Sequence, residues 1–151
     1  MRDSGLRVSG LQVLRDFEGL TGQLHEYKID VAKSMLEMAR AVRAPLLLVC
    51  STTSAHAVDD FDTQVAHLRK LAMLAVPLGV RIAFEGLSWG RFIDDVPGAW
   101  AAVSAADRAN LGLAIDSFHL LAKETPLDVL DEIDPNKLFF VQLSDFMWSA
   151  P

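Results

Sequence analysis

Ile82-Ala83-Phe84-Glu85, Leu113-Ala114-Ile115-Asp116-Ser117-Phe118-His119 and Phe139-Phe140-Val141-Gln142-Leu143-Ser144-Asp145 are short apolar runs, each ending in or beside a residue able to hold a divalent metal. A helical stretch feeds each of them. Such a run reads as a parallel strand buried on both faces rather than an exposed one. A parallel barrel places the C-terminal ends of all its strands on one face. The oxygen-bearing side chains of Glu85, Asp116 and Gln142 are therefore expected to converge there.

The rest of the chain alternates in the same way. Leu6 to Leu14 has strand character, and Leu24 to Val42 carries apolar residues at helical spacing. Leu46 to Cys50 reads as a strand introduced by Pro45. Asp59-Asp60 supplies an acidic helix start before Phe61, Val65, Leu68, Leu71 and Leu74, and Pro77 and Gly79 close that helix. Val80 to Phe84 is the next strand. Ile93 to Ala106 is helical with Pro97 in its first turn, Leu111 to Ile115 a strand, Leu127 to Ile133 a short helix, and Leu138 to Leu143 the last strand.

Five strands alternating with four helices predict an α/β fold, a parallel sheet with helices outside it. No solenoid-period repeat or Gly/Ser linker interrupts residues 1–151, so a single domain is expected. The first βα turn carries neither a GxGxxG nor a Walker pattern, which weakens a dinucleotide reading. A closed eight-stranded barrel takes ~250 residues, so 151 residues are expected to form a segment of one, incomplete at both ends. A partial barrel exposes two strand edges and apolar surface, and self-association through those edges is expected.

Composition narrows the function classes. The chain is 51% hydrophobic and 23% charged, with a formal net charge of -6. That balance argues against a nucleic-acid or anionic-membrane surface. No apolar stretch approaches the ~20 residues that span a bilayer, and no signal segment opens the chain. The lone Cys50 excludes an internal disulfide and fits a reducing cytoplasm. It reads as a small buried residue closing a strand.

Oxygen donors such as Glu85, Asp116 and Gln142 suit hard divalent cations, Mg²⁺ or Mn²⁺. Two carboxylates and an amide leave such an ion open to water and substrate, where it can stabilise an enolate. Other readings stand beside this one: Glu85 pairing with Arg91, and Asp116 capping the turn that follows it. His119 lies three positions after Asp116 and can exchange protons near neutral pH; a structural hydrogen bond is the alternative. His25 and His67 fall in helical patterns and are expected to be solvated, and His56 lies in the loop after Cys50. Arg15 at a strand end can clamp a substrate carboxylate with its planar fork, or pair with Asp16 or Glu18. Arg91 is a second cation for the same purpose. Trp89 and Trp148 are placed to wall a small pocket, or simply to pack.

Taken together, Arg15-Asp16-Phe17-Glu18-Gly19, Cys50-Ser51-Thr52-Thr53-Ser54, Phe84-Glu85-Gly86-Leu87-Ser88-Trp89-Gly90-Arg91, the Asp116-Ser117-Phe118-His119 segment and Gln142-Leu143-Ser144-Asp145 resemble the xylose-isomerase-like family of TIM barrels. More narrowly they are similar to its bacterial 3-dehydroshikimate dehydratases. The resemblance runs in order through almost the whole chain. It implies a partial (β/α)8 barrel, divalent metal (Mg, Mn or Co) held by Glu85, Asp116 and Gln142, a catalytic His119, and Arg15 as an anion-binding candidate. The implied reaction is metal-assisted loss of water from 3-dehydroshikimate to give protocatechuate. Enzymes of this type take a fourth, carboxylate ligand from a later strand, which the sequence does not contain. A sugar isomerase or epimerase on the same scaffold, or a catalytically silent fragment, are the alternative expectations.

Overall fold

Alternation along the strands decides which residues meet the helices and which face the barrel axis. A computed structural model describes residues 5–147 and gives five strands: β1 (Leu11–Arg15), β2 (Leu46–Cys50), β3 (Arg81–Glu85), β4 (Leu111–Asp116) and β5 (Leu138–Gln142). All neighbours pair in parallel, in the order β1-β2-β3-β4-β5. Helices α1 (Gly22–Val42), α2 (Phe61–Ala75), α3 (Val96–Ala106) and α4 (Ser117–Ala122) fill the connections. This is the strand-helix alternation expected of an α/β barrel.

One set of strand side chains, Leu14, Leu47, Val49, Ile82, Phe84, Leu111, Leu113 and Ile115, packs with Ile29, Leu36, Leu68, Leu71 and Val103 of the helices. The alternate set, Leu46, Leu48, Ala83 and Ala114, forms a second cluster with Val13, Phe139 and Phe140. Both faces of the central strands are thus apolar, which is why β2 reads as an unbroken Leu-Leu-Leu-Val-Cys run. Burying each of the larger aliphatic side chains contributes roughly 1.5–3 kcal/mol before chain entropy is charged against it.

Most element boundaries differ from the sequence expectation by a residue or a few, and two differ for a clear physical reason. The first strand is confined to Leu11–Arg15 instead of beginning at Leu6, because its partner β2 starts at Leu46 and pairing begins at Leu11↔Leu47; Leu6 is mostly exposed. Helix α4 stands where the sequence predicts only a turn that Asp116 could cap. It is only six residues long, too short for a periodicity signal, and Asp116 caps it by accepting a hydrogen bond from the Phe118 amide at 2.9 Å. The stretch after Pro126 is a 3-10 helix, Leu127–Glu132, rather than a regular α-helix. Helix α3 starts at Val96 and not at the expected Ile93, with Pro97 in its first turn as expected and Asp95 accepting from the Gly98 amide at 2.8 Å. No described helix is long and apolar enough to cross a membrane.

Candidate functional site

The register of the sheet lines up the last inward-facing residue of each strand. Arg15 pairs with Cys50, Cys50 with Glu85, and Asp116 with Gln142. Two-residue alternation puts Glu85 on the face of Ala83, and Asp116 on the face of Ala114, the inner cluster. Five strand ends therefore deliver five polar or ionisable side chains to one rim.

Glu85 sits at the centre and is nearly fully buried. Its Oε2 accepts from the Cys50 thiol at 3.2 Å, and its Oε1 lies 3.9 Å from His119 Nε2. Burial raises its pKa, the Cys50 hydrogen bond opposes that, the Asp116 charge adds to it, and Arg15 pulls it down. The field of both Asp116 and Arg15 is thus felt at Glu85. Cys50 keeps its proton, because burial and the neighbouring Glu85 push the thiol far above its ordinary range. It is a hydrogen-bond donor to Glu85 and not a nucleophile.

His119 is buried, and burial holds its pKa below the usual imidazole value, with Asp116 opposing. Its Nδ1 accepts from the Ser88 amide at 3.0 Å and lies 3.1 Å from Ser88 Oγ. That amide bond leaves the proton of the neutral ring on Nε2, the atom that faces Glu85. At 3.9 Å, with burial disfavouring charge on both partners, the two side chains do not form an ion pair. Trp89, half exposed, lies edge-on to His119 at 5.0 Å and to Phe118 at 5.9 Å. Trp148 lies outside the described residues.

Arg15 makes no ion pair with Asp16 or Glu18 among the described residues; its carbonyl instead accepts from Lys28 Nζ at 2.7 Å. Asp16 Oδ1 is taken up by the Thr53 amide at 2.8 Å and hydroxyl at 3.1 Å. Arg91 does not pair with Glu85 either: its guanidinium lies 5.3 Å from the Phe92 ring centroid, and its amide donates to the Thr52 carbonyl at 2.8 Å. His56 is exposed on the loop after β2.

Two expectations about histidines and one about a carboxylate need correcting. His25 and His67 are not simply solvated. Their rings stack at 3.7 Å with an interplanar angle of 16°, and His67 Nδ1 accepts from the Gly19 amide at 3.2 Å. Glu18, read only as a surface partner for Arg15, is fully buried, and its pKa is raised to about 8 by that burial. Nothing local announces this, since a carboxylate two residues after Asp16 looks like part of a solvated turn. Gly19 explains the geometry: at φ +78 the chain turns back, and a Cβ there would meet Ala57 Cβ at 3.3 Å.

Glu85, Asp116 and Gln142 offer two carboxylates and an amide oxygen at neighbouring strand ends. One oxygen of Glu85 is occupied by Cys50 and one of Asp116 by the Phe118 amide, which leaves a second on each. Such a donor set fits a hard divalent cation. Among the described residues no group of three or more His, Cys, Asp or Glu side chains is gathered to hold one; a cation at this rim would take the amide of Gln142 as its third donor.

A family model described as a xylose isomerase-like TIM barrel matches residues 1–150. The chain belongs to the xylose isomerase-like TIM-barrel family. Within that family it is 36% identical over 143 residues, 95% of this chain, to a 3-dehydroshikimate dehydratase of Pseudomonas aeruginosa. It is 32% identical over 93% of the chain to an inosose isomerase of Bacillus subtilis. The chain spans only 23% of the dehydratase and 52% of the isomerase. Among solved structures, a xylose isomerase-like TIM barrel/4-hydroxyphenylpyruvate dioxygenase fusion protein superposes with a TM-score of 0.92 at 34% identity, over 95% of this chain and 23% of that one. The IOLI protein with a bound zinc atom superposes with a TM-score of 0.83 at 24% identity, over 93% of this chain and 53% of that one, which establishes the shared fold.

Proposed function

We propose that this chain carries the metal-holding and proton-transferring part of a 3-dehydroshikimate dehydratase. The observation that carries the reading is the row Arg15, Cys50, Glu85, Asp116 and Gln142 along one rim, with His119 Nε2 facing Glu85. The similarity to dehydratases over 95% of the chain supports the choice of substrate.

Loss of water from this substrate breaks one C–H bond beside its ketone and one C–O bond. The proton and hydroxide leave together as water, and the remaining enol is the aromatic catechol acid protocatechuate. Glu85, Asp116 and Gln142 would hold a divalent cation (Mg²⁺, Mn²⁺ or Co²⁺), which when bound would supply Lewis-acid chemistry toward the ketone. Arg15 and Arg91 hold the substrate carboxylate, with planar forks matched to its two oxygens. His119 donates an Nε2 hydrogen bond to the departing hydroxyl and keeps its own proton, and the hydroxyl leaves as water with the proton released from the carbon. Trp89 walls the ring beside His119.

The test is incubation of the full-length parent protein with 3-dehydroshikimate and Mg²⁺, Mn²⁺ or Co²⁺ in turn, following the ultraviolet absorbance of protocatechuate. Metal-dependent product supports the assignment; metal loading without product rejects this substrate. The similarity to inosose isomerases favours a second reading, isomerisation of a neutral polyol ketone on the same rim. That substrate has no carboxylate for Arg15 and Arg91, so product analysis with an inosose separates the two.

A further inference from the structure

The loops after β1, β2 and β3 are stitched together by side chains that the proposed reaction does not use. Glu18 Oε1 accepts the Thr52 amide in a short hydrogen bond, inside a fully buried environment. Thr52 passes the contact on, because its carbonyl accepts from the Arg91 amide at 2.8 Å. Its neighbour Ser51 does the same: Ser51 Oγ accepts from the Leu87 amide at 2.9 Å, and the Ser51 amide donates to the Glu85 carbonyl at 2.8 Å. The next amide after Leu87 is that of Ser88, which holds Nδ1 of His119. Gly90 closes the stitch so tightly that a Cβ there would lie 2.7 Å from Ser51 Oγ.

We infer that Glu18 is a positioning residue for the rim, setting the placement of His119 and Arg91 through Thr52, Ser51 and the Leu87–Arg91 loop. Several facts separate this role from ordinary packing. A fully buried carboxyl is costly unless its hydrogen bonds repay it, and an apolar side chain of the same size would fill the space without that cost. Glu18 Oε2 has no hydrogen-bond partner among the described residues, so beyond its own backbone the carboxyl reaches another segment through the Oε1–Thr52 bond. Burial also keeps Glu18 protonated at neutral pH, so the bond works through a neutral acceptor and glutamine can reproduce it. On the opposite side the same turn is held by His67, which takes the Gly19 amide, and by His25, whose ring lies 5.6 Å from that of Phe17. The turn is thus held from outside by imidazoles and reaches inward with one carboxyl.

The inference rests on the geometry and not on the identity of the substrate, so its test requires no turnover. Heteronuclear NMR spectra of the full chain at neutral pH are compared for E18Q and E18M. Methionine fills a similar volume without a strong acceptor and leaves the Thr52 amide unpaired, while E18Q keeps an acceptor in place. E18M is expected to displace the Thr52, Leu87, Ser88 and Arg91 amide signals and the His119 ring signals beyond their line widths, while signals from α3 and β5 stay in place. E18Q is expected to restore the wild-type positions. Displacement confined to Thr52 in E18M, with Ser88 and His119 unmoved, would overturn the inference. Equal displacement of the His119 signals by E18Q and E18M would overturn it as well.

Discussion

His119 Nε2 stands 3.9 Å from Glu85 Oε1, while the other nitrogen of the same ring is held at 3.0 Å by the Ser88 amide. The ring is therefore oriented from the loop after β3 and directed at the carboxylate that ends β3. A gap of this size accommodates a shared ligand better than a direct bond between the two. Burial lowers the pKa of one partner and raises that of the other, so both favour the neutral form and the pair is not locked as ions.

Replacing Glu85 by glutamine separates function from stability. Loss of a hydrogen-bond partner to a metal ligand typically weakens metal binding by about 10–100-fold, so loss of a ligand carboxylate is expected to exceed that. Mn²⁺ titration followed by electron paramagnetic resonance measures it. The same substitution removes a buried ionisable group, so the denaturation midpoint at neutral pH is expected to hold or rise. Unchanged Mn²⁺ affinity would remove Glu85 from the ligand set.

Glu18 makes stability fall as the solution becomes alkaline. Its folded pKa of about 8 lies above the ordinary 4.5, so the folded state binds the proton more tightly than the unfolded chain. The stabilisation is complete below pH 4.5 and is lost as pH rises through 8, at roughly 1.4 kcal/mol per pH unit. Urea unfolding from pH 5 to 9 is expected to show a shallower decline for E18Q than for the wild type.

The His25–His67 stack acts in the opposite direction. Burial and the neighbouring His25 and Lys70 charges lower the His67 pKa to about 4, and the His25 pKa also falls. The folded state therefore favours the neutral rings, and stability is expected to drop as pH falls from 6.5 towards 4. H67N retains an acceptor near the position of Nδ1 but cannot titrate. Its thermal midpoint over this window is expected to vary less than that of the wild type.

Core position outweighs hydrophobicity. Leu68 of α2 is fully buried, whereas Met73 on the same helix is 57% exposed. Leu68→Ala is expected to cost about 2–5 kcal/mol, and Met73→Ala under about 0.5 kcal/mol. Chemical denaturation distinguishes them, and similar losses would contradict the assigned faces of α2.

Self-association is expected through the open side of β5, where Val141 is 53% exposed and Leu143 90% exposed. Sedimentation velocity is expected to show concentration-dependent oligomers, which Val141→Lys shifts towards monomer by placing a charge on the strand. A monomer at all concentrations would count against this surface.

Much of the rim was legible because short unbroken apolar runs between helices mark parallel strands. Once β3, β4 and β5 were read as such strands, Glu85, Asp116 and Gln142 had to fall near one rim, although β5 is not buried as expected: it lies at the sheet edge with Val141 53% exposed. Arg15 was equally visible as the last residue of its strand, although the strand itself is shorter than Leu6 to Leu14 suggested. Glu18, the Cys50–Glu85 bond and the His25–His67 stack were hidden. Each joins residues at least 34 positions apart, and local sequence carries no record of which distant amide or ring will arrive.

By itself the chain determined the alternation of strand and helix, and with it the face on which the polar strand ends gather, because local hydrophobic patterning encodes burial. Only the tertiary structure decided which nitrogen of His119 carries the proton, which carboxyl lies buried and neutral, and which loops hold one another. Those properties come from desolvation and from hydrogen bonds between distant segments, and both exist only after the sheet has assembled.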